Sequence, residues 1–370
     1  MAAGSSRKIT AALARAHTRT TKQSTSFKLP SGIFKKIVVV FYVGMLAWVY
    51  QAIQPPVSKK CGSPGGPPIT APRIKLRDGR YLAYKEHGVP RDAAKFKIVY
   101  IHSFTSSRHG TVVADYLSPE TFNELGIYIV SFDKPGYGES DPNPKRTVKS
   151  VALDIEELAD QLGLGSKFYV IGFSMGGQEV WSCLKYIPHR LYGAALLAPA
   201  INYFWSGFPA NLSKEVFNQL LPQDRWALRV AHYVPWLTYW WNTQKLFPPL
   251  SAIAGIPDIF SKQDLELVSK VAVNHRAHAT QQGVYESLHR ELMVAFGSWE
   301  FDPTDLEKVE GSVHLWQGDE DRVVPVTLQR YIVQKLSWIQ YHELPGAGHM
   351  FPMAEGISDS IMKALLIGKN

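Results

Sequence analysis

From about Ile69 onward, short continuous apolar runs alternate with amphipathic stretches. Lys97–Ile101 (KIVYI), Gly126–Phe132 (GIYIVSF) and Phe168–Gly172 (FYVIG) are too short for helices and show no apolar/polar alternation. This predicts strands buried on both faces of a sheet. Thr147 to Leu162 has the period of a helix, with Val151, Ile155, Leu158 and Leu162 on one face and glycines closing its end. Further strands are expected at Ala194–Ala198, Val313–Trp316 and Ile339–Leu344, and helices at Val326–Leu336 and Ile357–Leu366. At the start, Arg73–Arg77 and Arg80–Tyr84 flank Asp78-Gly79, which predicts a hairpin closed by the tight turn that strand twist prefers. The sum is an α/β fold: a mostly parallel, doubly wound sheet with a hairpin at its beginning.

One insertion, residues 200–297, breaks the alternation and reads as helical. It carries dense aromatic side chains: Tyr203, Phe204, Trp205, Phe208, Trp226, Tyr233, Trp236, Tyr239, Trp240, Trp241 and Phe247. Most of them are expected to pack the insertion onto the sheet. Their density also predicts a lid that forms an apolar pocket, with bilayer contact as a second use.

A different pattern occupies the N-terminal region. Ile37 to Tyr50 is an unbroken apolar run that Ala52-Ile53 extends to about 17 residues, or roughly 25 Å of helix, the lower limit for a membrane span. Lys35-Lys36 at one end and Trp48 and Tyr50 at the other are suited to the two interfaces. Residues 1–36 are too long for the leading part of a cleaved signal peptide, and Tyr50 stands where a cut would need a small side chain. The Pro/Gly-rich linker 54–71 argues against a core helix. Residues 37–53 are therefore read as a transmembrane anchor following a basic segment, 1–36.

Lys22, Lys28, Lys35 and Lys36 precede the span and Lys59 and Lys60 follow it, a bias that places the N-terminus in the cytosol and the main domain on the lumenal side of the endoplasmic reticulum or secretory pathway. Asn211-Leu212-Ser213 would then be a usable glycosylation sequon. The acid-free, Arg/Ser/Thr/Ala-rich start also fits a transit peptide, leaving a mitochondrial or plastid membrane as the alternative.

Charge sharpens this division. The chain has 370 residues and a formal charge of +8, but Met1 to Arg77 hold 13 Lys and Arg and no acid. The remainder is mildly acidic and has no basic stripe, so nucleic acid is excluded as its partner. Two cysteines, Cys61 in the linker and Cys183 on the helix after Phe168–Gly172, make no disulfide framework; Cys183 is expected as a small buried apolar residue, and Cys61 as a free thiol that either carries a lipid or has no role.

The chemistry centres on Gly172-Phe173-Ser174-Met175-Gly176-Gly177, placed at the end of a predicted strand. Small flanking residues let a sharp strand-to-helix turn present the serine hydroxyl. Activation needs a base and an acid that orients it. Gly318-Asp319-Glu320-Asp321-Arg322-Val323-Val324-Pro325 and Gly346-Ala347-Gly348-His349 follow two later strands, at the carboxyl edge where such groups collect.

At these residues the main domain, about 70 to 368, resembles the α/β-hydrolase superfamily, in the branch of lidded esterases and lipases. Five motifs carry the resemblance: Ile101-His102-Ser103-Phe104, Asp133-Lys134-Pro135-Gly136-Tyr137-Gly138-Glu139-Ser140, the turn at Ser174, the Gly318–Pro325 loop and Gly348-His349. It implies a core of residues 72–199 and 298–370 with a helical cap, 200–297. It also implies Ser174 as nucleophile and His349 as base. The pattern G-x-x-D-x-x-V-P selects Asp321 as the orienting acid, with Asp319 as the alternative. Backbone N–H groups of Phe104 and Met175 would form the oxyanion hole. One departure stands out: Ser103 occupies a position where the family usually has glycine, which puts the shape of that loop in question.

Other candidates lead to structural readings. His314 and Asp319 match an H-x4-D acyltransferase spacing but lie along a strand and its loop. His275 and His278 lack the carboxylates or cysteines of a metal site, and His102 is expected to hold the oxyanion loop. Neither a metal nor a cofactor is expected. The reading is a membrane-anchored serine hydrolase acting on small-molecule or lipid esters with apolar acyl or alkyl groups. An acyltransferase using the same residues and a non-catalytic receptor of the same fold are the alternatives.

Overall fold

The structure, a computed structural model, describes residues 31–269 and 275–368. The first 30 residues, with Lys22, Lys28 and the stretch that fits a transit peptide, lie outside the described residues. The chain divides into two units, Met1–Ala52 and Ile53–Asn370. Helix α1, Ser31–Ile53, has 23 residues, giving a rod of about 35 Å. Its apolar side chains cover its whole circumference, and within it Gly32–Ile53 is long and apolar enough to cross a membrane.

The second unit is built on eight strands: β1 (Arg73–Lys75), β2 (Tyr81–Gly88), β3 (Phe96–Ile101), β4 (Ile127–Phe132), β5 (Phe168–Phe173), β6 (Leu191–Leu197), β7 (Ser312–Gly318) and β8 (Gln340–Leu344). They lie in the order β1-β2-β4-β3-β5-β6-β7-β8. β2 is antiparallel to β1 and β4, and every pair from β4 to β8 is parallel. The parallel strands read as continuous apolar runs because both faces are covered. Val99, Ile101, Val130 and Val170 belong to the core on one face, and Ile98, Tyr100, Ile129 and Ile171 to the core on the other.

Helices α2 (Val112–Asp115), α3 (Pro119–Leu125), α4 (Val148–Gln161) and α5 (Met175–Tyr186) connect the first strands. α4 starts on a reciprocal cap between Thr147 and Ser150 and buries Val151, Ile155 and Leu158. Between β6 and β7 the chain is helical: α6 (Ala210–Gln219), α7 (Pro222–Tyr233), α8 (Thr238–Thr243), α9 (Ser251–Ala254), α10 (Lys262–Val268), α11 (Arg276–Ala279) and α12 (Arg290–Phe296), the last preceded by a wider helical turn at Tyr285–His289. The limits 200 and 297 expected for the cap fall just after β6 and just after α12. α13 (Val326–Lys335) and α14 (Ile357–Leu366) complete the fold.

Two local expectations change. The hairpin between β1 and β2 does not close on a two-residue turn. The Gly79 N–H donates to the Leu76 carbonyl (2.9 Å), and Gly79 alone takes a positive φ, of 89°. Asp78 keeps the ordinary sign, so the loop is an i to i+3 turn followed by a left-handed glycine. The linker is also less free than its Pro/Gly content suggests. The N–H groups of Lys59 and Cys61 donate to Gln282 (2.9 and 3.0 Å), and Thr70 and Ala71 donate to the Glu139 carboxylate. Cys61 is buried, its Sγ–H donates to the Gly138 carbonyl (3.6 Å), and burial pushes its thiol up to about 11. A thiol so placed is unsuited to lipidation.

Candidate active site

The strand order jumps from β4 back across β3 to β5, so the carboxyl ends of β3 and β5 lie side by side where the winding reverses. Open α/β sheets bind ligands at such a point. Ser174 sits there, between β5 and α5, with φ 55° and ψ −117°. A non-glycine residue in this region costs on the order of 1–3 kcal/mol and persists only when its neighbours fix it. Its N–H donates to the Leu197 carbonyl (2.8 Å), and its carbonyl accepts from Ala200 (2.9 Å) and Gln178 (3.0 Å). Glycine is required on both sides by space: a Cβ on Gly172 would lie 2.2 Å from the Gly176 carbonyl oxygen, and one on Gly176 2.1 Å from that of Ile101.

His349 Nε2 lies 3.0 Å from Ser174 Oγ and its Nδ1 2.7 Å from Asp321 Oδ2. A carboxylate can only accept, so Nδ1 carries the proton and the lone pair of Nε2 faces the serine hydroxyl. All three side chains are buried. Burial disfavours the imidazolium, but the charge and hydrogen bond of Asp321, with Asp264 assisting, outweigh it and raise the His349 pKa above its ordinary value. Asp321 is itself held on four sides: the Val323 and Val324 N–H groups donate to Oδ1 (2.8 Å each), while Gln317 Nε2 (2.9 Å) and His349 donate to Oδ2. Asp319, the alternative acid, turns away and accepts from the Gly346 N–H (2.7 Å).

Phe104 and Met175 line the same cavity as Ser174. Met175 is the first residue of α5, where an N–H has no partner within the helix and the dipole is positive. Ser103 does not strain its loop, because the left-handed residue there is Thr105, at φ 60°. His102 fixes the loop from below: Nδ1–H donates to the Ser103 carbonyl (2.8 Å) and Nε2 accepts from the Lys134 N–H (3.2 Å). Burial first, and the Lys134 charge next, hold this imidazole neutral, with a pKa of about 3.

The helical insertion supports the histidine, a feature absent from the sequence reading. Asp264 Oδ1 accepts from the Met350 N–H (2.6 Å) and Gln263 Oε1 from the Gly348 N–H (2.7 Å), so adjacent residues of α10 hold the amides on either side of His349. Asp264 Oδ2 also accepts from the Ser261 N–H (3.0 Å), closing the cap of α10. The spacing Ser261-x-x-Asp264 was a readable capping signal, but its second use was not. A buried charge network lies beside the site: Lys134 pairs with Glu291 and Arg146 with Glu179, and the Tyr137 hydroxyl donates to Glu291.

Above Ser174 lies a cavity of about 1310 Å³. It is largely apolar, as expected: aliphatic Leu220, Leu228, Leu250, Ile256 and Leu265 line it beside Phe260 and Phe296. Of the aromatic residues expected there only Tyr203 does so. Trp205 and Phe208 are buried in the core, and Trp226, Tyr233, Trp236 and Phe247 point to solvent. Aliphatic residues and a few phenylalanines of the insertion face the cavity, whereas its tryptophans serve packing or the outer surface.

The remaining candidates stay out of the serine's hydrogen-bonded line, although His275 lines its cavity. His314 Nδ1 pairs with His342 Nε2 (3.0 Å) between β7 and β8, away from Asp319. His278 contacts Arg108 (2.9 Å), and His275 stacks on His109 at 6.3 Å. Among the described residues no group of three or more His, Cys, Asp or Glu could hold a metal ion.

No curated protein matches the chain. The structure is similar to an esterase from Thermogutta terrifontis (21% identity, TM-score 0.54, covering 82% of this chain and 100% of that one). It is also similar to an esterase from Exiguobacterium antarcticum (18%, 0.54, 80% and 99%) and to an enol-lactonase from Burkholderia xenovorans LB400 (16%, 0.54, 80% and 99%). At these identities the likeness is one of fold. The sequence model of the alpha/beta hydrolase family matches residues 98–356, from the middle of β3 through the loop after His349. A match over more than two thirds of the chain, on the fold that the family defines, makes this protein a member of the alpha/beta hydrolase family.

Proposed function

We propose that the protein is a membrane-anchored serine hydrolase that cleaves carboxylic esters through an acyl-enzyme. The observation that carries this reading is the continuous chain from Ser174 Oγ through His349 to Asp321, at 3.0 and 2.7 Å. Ser174 Oγ attacks the ester carbonyl carbon as its proton passes to His349 Nε2. The carbonyl π electrons move to oxygen, where the N–H groups of Phe104 and Met175 receive the charge, each worth about 3–4 kcal/mol in such sites. Asp321 stabilises the imidazolium and fixes its tautomer. The imidazolium returns the proton to the leaving alkoxide, and the acyl group stays on Ser174. Water, deprotonated by His349, then attacks the acyl carbon; the bond to Ser174 Oγ breaks as the imidazolium returns the proton to it, and the carboxylic acid leaves.

The largely apolar cavity exceeds the usual 300–1,000 Å³ of small-molecule sites, which supports substrates with large apolar acyl or alkyl groups. Residues 37–53 serve as a single membrane anchor in this reading, supported by the length and composition of α1. In the same reading the catalytic domain lies in the lumen of the secretory pathway, supported by the excess of lysine before the span. The test is labelling of the purified chain with a fluorophosphonate probe. Wild type is expected to label at Ser174 and Ser174→Ala not at all; equal labelling of both, or of neither, refutes the proposal.

A further inference from the structure

Helix α7 has two opposed faces. Asp224 and Leu228, four apart, line the cavity above Ser174. Trp226 (54% exposed) and Tyr233 (67%) stand on the other side, so one helix separates that cavity from solvent. The outer face continues through Trp236 (62%), Leu246 (77%) and Phe247 (50%). Four rings are contiguous: Trp226 lies 6.2 Å from Trp241, which lies 6.5 Å from Trp240 and stacks on Phe247 at 5.4 Å. Isolated exposed rings are ordinary, but a connected set marks a surface that meets an apolar partner.

Two observations choose the partner. From Arg225 to Pro257 the chain has Arg225, Arg229 and Lys245 and no acidic residue. The Arg229 guanidinium lies over the Trp226 ring at 5.4 Å. Tryptophan and tyrosine rimmed by basic groups suit the headgroup layer of a bilayer, whose lipid phosphates the basic side chains can meet. The second is the path of the chain. Lys59, six residues after the end of α1, bonds to Gln282, three residues before Tyr285, and Tyr285 packs on Tyr239 of α8 at 5.9 Å. The linker therefore joins the folded body on the same part of the insertion that carries the rings.

We propose that the surface formed by Trp226, Tyr233, Trp236, Trp240, Leu246 and Phe247 docks on the lipid headgroup layer, so that apolar esters reach the cavity from the membrane past α7. The inference rests on the reading of residues 37–53 as an anchor, and its test separates the two. An environment-sensitive fluorophore is attached to full-length protein at Leu246→Cys on this surface, at Leu46→Cys in α1, and at Tyr192→Cys, an exposed position outside it. Native Cys61 and Cys183 are buried. The protein is placed in vesicles of phosphatidylcholine with a minority of phosphatidylserine, carrying headgroup-level nitroxide lipids for position 246 and mid-chain nitroxides for position 46. The label at 246 is expected to lose most of its emission and the label at 192 little. Quenching at 46 without quenching at 246 overturns the docking surface and leaves the anchor standing. The reverse supports the surface and refutes the anchor. A blue shift at 246 that grows with protein concentration in lipid-free detergent shows a second copy covering the rings and also overturns the proposal.

Discussion

Replacement of Asp264 tests whether α10 is part of the catalytic apparatus or only packs near it. The buried carboxylate accepts two N–H groups, the half-buried one of Met350 and the buried one of Ser261, and its charge helps raise the His349 pKa. Asp264→Ala leaves both donors without an acceptor. At about 1–3 kcal/mol per unsatisfied buried group, partly relieved at the helix end, the loss should be about 2–4 kcal/mol. For a folded unit spanning residues 53–370, an unfolding entropy of about 2.1 cal/mol/K per residue converts this to a fall in Tm of about 3–6 °C. The displaced histidine should lower kcat/KM about 10–100-fold.

Asp264→Asn separates charge from shape. It keeps one acceptor oxygen and removes the negative charge, so the His349 pKa falls. The base works when neutral, and the acid limb of kcat/KM must therefore move to lower pH. Ser261→Ala and Gln263→Ala remove neighbouring hydrogen bonds without changing charge, and should leave that limb where it is. The assay is a pH profile of ester hydrolysis for the four proteins, beside thermal melts. An unmoved limb in Asp264→Asn, or one displaced upward, refutes the coupling and leaves Asp264 a purely stabilising residue.

Gly176→Ala would press a methyl group into the Ile101 carbonyl, and denaturant titration should show a loss of about 3 kcal/mol or no folded protein. Lys134→Met strands the buried Glu291 carboxylate at a cost of about 3–5 kcal/mol, and adding Glu291→Gln should recover part of it in the same titration. The raised pKa of His349 also links stability to pH. Its contribution is fully present below about 6.5, the ordinary histidine value, and is lost as pH rises through the folded-state pKa, while activity rises over the same interval. The melting difference between wild type and His349→Gln, followed across that interval, should shrink as hydrolysis of an ester by wild type increases. Lumenal placement predicts a glycan on Asn211, which is exposed, and Asn211→Gln should abolish a glycosidase-sensitive mass shift in protein expressed in eukaryotic cells.

Local physics made much of the molecule legible from its residues. The double burial of parallel strands writes itself as apolar runs, so β3, β4 and β5 fall within a residue or two of the expected limits. The turn at Ser174 announces itself through glycines that must let carbonyl groups pass close by. The resemblance placed the serine, aspartate and histidine in chain order, and the folded chain brings those three side chains into one hydrogen-bonded line. Burial by itself, however, does not say which neighbour will be met. The aromatic residues were expected mostly to pack the insertion onto the sheet and in part to line a pocket, but composition carries no information on which side of α7 turns inward, and the side bearing Leu228 does.

Sequence alone thus determined the architecture, the strand-end serine and the apolar anchor candidate, because period, turn chemistry and run length are properties of neighbouring residues. Tertiary structure decided what surrounds the serine. Asp264 and Gln263 reach His349 across some 85 positions, Lys134 meets Glu291 across 157, and Gln317 finds Asp321 only because the loop after β7 folds back. Such pairings depend on how the insertion docks on the sheet. That docking is set by the summed fit of many distant side chains and leaves no local pattern to read.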